Sequence, residues 1–264
     1  MYRDAAVKGM FYPSDPDEIK RFVESYKVNN DANEAAKMVI LPHAGYVFSG
    51  ATAVKTLSEI RLPENIILMG PNHTGIGKNV AVYPSGKWET PFGDVAINDE
   101  LSARFIEQGF ESDKTAHARE HSLEVQMPLL KYFREDVNVV PITFKMIDYE
   151  ACKYAARVIF ETIKDRDDIL LLISSDFNHF ENLDVTNDKD SAAISKIMEM
   201  EPEGLLEVVI KKDISMCGVI PAVVGMLVVK KLGFSNVRLV EHTTSAEASG
   251  DTSKVVGYAG IIIS

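Results

Sequence analysis

Several short runs of this chain are apolar at consecutive positions rather than at alternate ones. Met38 to Leu41 reads MVIL, Asn65 to Gly70 reads NIILMG, and Asp168 to Ser174 reads DILLLIS. A strand with one wet face alternates, so a continuous apolar run of this length implies a strand covered on both faces. Val137 to Phe144, Val237 to His242 and Val255 to Ile263 read as further strands. Between them lie segments with helical spacing. Residues 15–26 follow Ser14 as the expected N-cap, with acidic residues in the first turn. Residues 97–109 end at a glycine, residues 148–164 and 188–200 carry an apolar stripe, and residues 218–233 are apolar nearly all round. Strands alternating with helices predict an α/β fold: one domain over residues 1–264, with a central, largely parallel mixed sheet flanked by helices. The linker-like stretch Val28 to Lys37 comes too early to separate two domains.

Composition narrows the function classes. A formal charge of -11 over 264 residues argues against a general nucleic-acid binder, which needs a basic face. No apolar run approaches the roughly 20 residues of a membrane span, and the N-terminal segment lacks the apolar core of a signal peptide. Cys152 and Cys217 are the only cysteines, so a disulfide framework is not expected and a reducing cytoplasm is the expected compartment.

The histidines gather at strand ends. His43 follows MVILP, His73 follows NIILMGPN, and Asp176 and His179 follow LLLISS. In open α/β sheets ligands bind outside the carboxyl ends of the strands. A single histidine there is ordinarily a hydrogen-bonded loop residue. Three such endings, if their strands are parallel neighbours, deliver imidazoles and a carboxylate to one shared site. Cys217 sits where a loop enters the apolar helix. It reads either as an inert buried thiol or as a thiolate activated at a helix N-terminus. Glu120, His121 and Glu124 open an expected helix over AREHSLEVQMPLLKYF, and the small-residue loop from Thr243 into the last strand is a second candidate cleft wall. His117 to His121 matches H-x-x-E-H, the inverted zincin signature, but three fixed positions match easily by chance and no third ligand follows. GPNHTGIGK lacks the glycine spacing of a phosphate loop.

An ordered set of segments carries a more specific signal: GMFYPSD, LPHAGYVFSGATA, MGPNH, TPFGDV, EHSLEVQMPLL, SSDFNHF, MCGVIP and SAEASGDTSKVVGYAG. In this order, from about Gly9 to the C-terminus, the chain resembles the Memo family, whose fold is similar to that of the class III extradiol dioxygenases. The resemblance implies that His43, His73 and Cys217 are metal ligands, with cysteine where the dioxygenases use glutamate. It implies catalytic roles for His179, Asp176 and His121, and a substrate pocket lined by Tyr46 and Glu120. Iron is the metal it implies first, with copper or zinc as alternatives, because thiolate softens the site.

Three functions are compatible with it. The first is a cytosolic metal-binding protein with redox or oxidoreductase chemistry. The second is a non-haem Fe(II) extradiol-type dioxygenase acting on a small molecule. The third is a non-enzymatic module that binds a peptide or a protein, such as an AMMECR-type or radical-SAM partner, in the same cleft. Ring cleavage does not follow from the fold alone.

Overall fold

The strands that read as buried on both faces do lie at the centre of a sheet covered on both sides. The computed structural model describes residues 1–28 and 34–264, so part of the linker-like stretch lies outside the described residues. Its strands are β1 (Tyr2–Arg3), β2 (Met38–Leu41), β3 (Asn65–Pro71), β4 (Val80–Val82), β5 (Lys87–Trp88), β6 (Val95–Ile97), β7 (Glu111–Ser112), β8 (Asn138–Phe144), β9 (Ile169–Ser174), β10 (His179–Glu181), β11 (Val237–Thr244) and β12 (Val255–Ile263). The main path runs β1-β5-β6-β8-β3-β9-β2-β12-β10, with β11 added on β12, and β4 on β8. Strands β6, β8, β3, β9 and β2 are mutually parallel, whereas β12 runs antiparallel to β2. The sheet is therefore mixed, with a parallel centre.

Successive side chains on these strands go to opposite cores. Met38, Ile40, Ile67, Met69, Leu171 and Ile173 pack on one side. Val39, Leu41, Ile66, Leu68, Leu170 and Leu172 pack on the other. Each such side chain contributes about 1.5–3 kcal/mol by leaving water, which is why the runs have no polar interruption.

The first side is covered by α3 (Asp99–Glu107), α5 (Tyr149–Ile163), α6 (Leu183–Met198), α7 (Pro202–Lys211) and α8 (Val219–Lys231). The second is covered by α1 (Pro16–Tyr26), α2 (Ala51–Ser58) and α4 (Met127–Phe133). Helix α8 lies closest to the centre. A Cβ on its Gly225 would come within 2.9 Å of Met38 and Ile173, so glycine sets that approach.

The elements depart from the sequence expectations in several places. The N-cap of α1 is Asp15, not Ser14, because the Asp15 carboxylate reaches the Asp17 N–H at 2.9 Å. Asn98 caps α3, whose first expected residue, Ile97, belongs instead to β6. Helix α6 begins early, at Leu183, where Asn182 accepts from the Val185 N–H.

The largest departure concerns Glu120, His121 and Glu124. Glu120 and His121 lie in irregular backbone between two turns, and only a single 3-10 turn at Glu124–Gln126 leads into α4. The Arg3 guanidinium claims the carbonyls of His117 and Glu120, at 2.8 and 2.9 Å, which a helix would need for itself. His117 and His121 therefore share no helical face. His117 is fully buried and its Nε2–H donates to the Ala81 carbonyl at 3.0 Å, which removes the zincin reading.

Candidate metal centre

Strands β3, β9 and β2 are consecutive and parallel, so their carboxyl ends open on one edge. His43 lies two residues beyond β2, His73 two beyond β3, and Asp176 two beyond β9. Cys217 comes from a separate element, the loop before α8. Gly218 lets that loop lie against the end of β9, because any Cβ there would collide with Ser175. Its N–H donates to the Ser175 hydroxyl at 3.0 Å. The result is that ligand atoms of His43, His73 and Cys217 all lie within 4.8 Å of one another.

The surroundings dictate which ring nitrogens are free. The Ser174 hydroxyl donates its one proton to the Ser122 carbonyl at 2.6 Å. It can therefore only accept from its other neighbours, the Gln126 amide at 3.0 Å and His43 Nδ1 at 2.9 Å. His43 thus carries its proton on Nδ1 and turns the Nε2 lone pair toward Cys217 Sγ, 3.3 Å away. His73 is held the same way by a different group. The Glu120 carboxylate takes the Nδ1–H at 2.9 Å and the backbone N–H at 2.6 Å, which leaves His73 Nε2 for a ligand. A carboxylate or hydroxyl behind an imidazole is the usual support of a ligating histidine, since it sets the tautomer and raises basicity. The residues present fit a metal ion.

Burial works against the charged form of Glu120. The His73 imidazole, the Ser122 N–H and the nearby His121 outweigh it and bring its carboxyl down to about 2. Asp176 shows the opposite balance. Burial pushes it up to about 7, although the His43 and Ala44 N–H groups lower it by donating at 2.7 and 3.3 Å. Removal from water, with Asp176 beside it, pushes the Cys217 thiol upward. Of the two readings open for Cys217 in the sequence, this upward shift accords with the buried thiol rather than with activation by the helix N-terminus. A cation is what would make it a thiolate, because a coordinating metal deprotonates a thiol outright. Burial first, and then the neighbouring imidazoles, lower the His43 pKa.

A cavity of about 370 Å³ adjoins the cluster. Met10, Phe11, Phe48 and Val256 supply apolar walls, and His121, Asp176 and His179 supply polar ones. His121 stacks on His73 at 4.6 Å between ring centroids and approaches Glu120 at 3.4 Å. His179 donates Nδ1–H to the Ser215 carbonyl at 2.9 Å, so its Nε2 is the nitrogen left to exchange protons. Tyr46 stands apart from this cavity. Its hydroxyl donates to the Val125 carbonyl at 2.9 Å, and its ring lines a neighbouring groove with Tyr12 and Phe22. Of the small-residue segment 243–260, Val256 lines the cavity.

Sequence reasoning did not single out Ser174, Ser122 or Gln126. Ser174 had a visible signal, as the first polar residue to end a buried apolar run. Ser122 and Gln126 had none, since their partners lie 48 to 52 residues away.

The comparisons agree with this architecture. The model of the Memo-like protein family matches residues 3–262. A MEMO1 family protein of Ignicoccus hospitalis is 40% identical over 99% of this chain and 98% of its own length. Relatives of the same description from Aquifex aeolicus and Methanopyrus kandleri are 38% and 37% identical, again over nearly all of both chains. Match, order of motifs and strand-end geometry coincide along the whole length, and the chain belongs to the Memo family.

Proposed function

We propose that this chain is a metal-binding protein in which His43, His73 and Cys217 hold one ion, and that its chemistry is of the redox or oxidoreductase kind. The observation that carries the reading is the convergence of two imidazole lone pairs and a thiol within 4.8 Å, each delivered by a different element. Iron is the first candidate, and a thiolate beside two imidazoles also suits copper(I) or zinc. A bound ion held by these residues would supply Lewis-acid polarisation and, if it were iron or copper, electron transfer. The chain's own groups do the rest. Met10, Phe11 and Phe48 give the cavity an apolar wall. His179 holds or moves a proton at Nε2, and Asp176 fixes the His43 backbone. Two free cysteines and no disulfide among the described residues accord with a cytoplasmic setting.

The test is metal analysis of protein purified anaerobically, alongside His43→Ala and Cys217→Ala. The wild type should carry close to one ion per chain and both variants much less. Equal content in all three would sink the proposal. Dioxygenase chemistry is the second reading, favoured by the position of His179 on an apolar cavity. It predicts oxygen uptake with Fe(II) and a catechol, lost in His179→Ala. Silence across a broad catechol panel would count heavily against it.

A further inference from the structure

His179 is held by groups that neither the metal nor the cavity uses. It opens β10, where the pairing with β12 shifts register between His179 and Glu181. Between them Phe180 adopts φ 62°, a left-handed conformation that is costly for an aromatic residue, and its side chain stands 71% exposed. Such strain persists only where the surroundings over-determine it, and bulges of this kind re-aim a side chain. Exposed Phe180 does not pay for it by packing, so the hold must come from elsewhere.

That hold is a chain of hydrogen bonds that starts at exposed Ser215 and runs inward to buried Asn178 and Asp190. Ser215 grips His179 twice: its carbonyl accepts the Nδ1–H at 2.9 Å and its hydroxyl accepts the backbone N–H at 2.7 Å. Ser215 is gripped in turn by Asn178, whose Oδ1 accepts its N–H at 3.2 Å and its hydroxyl proton at 3.3 Å. Asn178 is 1% exposed, and its own N–H donates to Asp190 Oδ1 at 2.8 Å. Asp190 is wholly buried on α6, and its second oxygen accepts from His242 Nε2–H of β11 at 2.9 Å. Opposite lies Gly257 of β12, where any Cβ would run into the Asp190 carboxylate. A buried carboxylate is costly unless it is fully hydrogen-bonded, and here both oxygens are engaged.

The geometry points to Asn178 and Asp190, braced by His242, as positioning residues that lock His179 into the Nδ1–H tautomer and leave Nε2 free at the cavity. Free imidazole in water offers both tautomers, so without the lock His179 would present a proton or a lone pair indiscriminately. The inference rests on the reading of His179 as the proton-handling group, although its test does not use activity.

Long-range proton–nitrogen correlation NMR reports the tautomer of each histidine directly, with His179→Gln to assign the signal. It is recorded on the full chain, both metal-free and zinc-loaded, so failure to take up zinc counts against the metal reading alone. The wild type should favour Nδ1–H by about ten-fold, the bias that one hydrogen bond of ordinary net strength supplies. Asn178→Ala and Asp190→Ala should bring the two forms to near parity, while Asn178→Asp, which keeps the acceptor for Ser215, should retain most of the bias. A general structural role would not move a tautomer ratio in a folded protein. If the alanine variants do not fold, His242→Ala, on a half-buried strand position, carries the comparison with a smaller shift in the same direction. A wild-type ring protonated mainly on Nε2, or a ratio unmoved in every folded variant, overturns the assignment.

Discussion

Two buried polar assemblies meet in the loop from His117 to Glu124, and they are completed differently. At one, Glu124 accepts from Arg3 at 2.7 Å and from Ala6 N, Val7 N and the Tyr12 hydroxyl at 2.9 Å. Arg3 also lies over the Trp88 ring at 4.1 Å. The Arg3 and Glu124 charges offset each other, and both Glu124 oxygens are engaged within the protein. At the other, His43 and His73 have their Nδ1 protons bonded on the outer side, and the inner nitrogens face each other and a thiol. Both are built from buried charged or aromatic groups, so burial alone does not distinguish a structural cluster from a ligand site. What distinguishes them is whether the lone pairs are consumed. The first assembly ties the N-terminal segment to the loop, and the second uses that same loop, through Glu120, to orient the His73 imidazole.

The sharpest way to break this contrast is Arg3→Ala. It strands Glu124 without its cation in a site 0% exposed, and removing one member of a buried pair costs about 3–5 kcal/mol. Chemical denaturation would measure it, and a loss of under about 1 kcal/mol would show that the pair is not what fastens the N-terminus. Acid should act next. Burial lowers the His117 pKa to about 4, while in the unfolded chain this imidazole titrates near its ordinary value of 6.5. Between those values the unfolded state binds more protons, so stability is full above about pH 6.5 and falls as pH drops toward 4, by roughly 3 kcal/mol in total. His117→Gln, which keeps a donor for the Ala81 carbonyl, should flatten that part of the curve. An unchanged acid profile would remove His117 from the account.

Glu120→Gln sharpens the other half. It weakens the hold on His73 and should lower metal affinity about 10- to 100-fold in chelator competition, with a far smaller change in thermal stability. The reverse pattern would make Glu120 a structural residue like Glu124. The smallest effect belongs to an exposed pair. Glu100→Ala removes the 2.7 Å contact to Arg104 on α3 and should shift stability by less than about 0.5 kcal/mol.

The parts legible in the sequence were those whose cause is local. A strand buried on both faces must be apolar throughout, so β2, β3 and β9 and the polar residues that end them could be located by reading along the chain. Helix α8, apolar all round, was legible for the same reason. The short strands β1, β4, β5, β6 and β7 were not, since two or three residues carry no period. Neither was the fate of Glu120. Its segment has helical spacing, and only Arg3, 117 residues away, explains why it turns instead. The tautomers of His43 and His179 lie further still from view, because each is set by a hydroxyl or carbonyl with no signature of its own.

His43 and Cys217 are 174 residues apart in the chain, yet they meet at 3.3 Å. Strand β9 lies between β3 and β2 in the sheet, so a growing chain brings the two imidazoles together only after β9 has been made, and the Cys217 thiol joins them when α8 docks. An ion bound at that point would act as a clasp across most of the polypeptide, and its capture would mark the completion of folding.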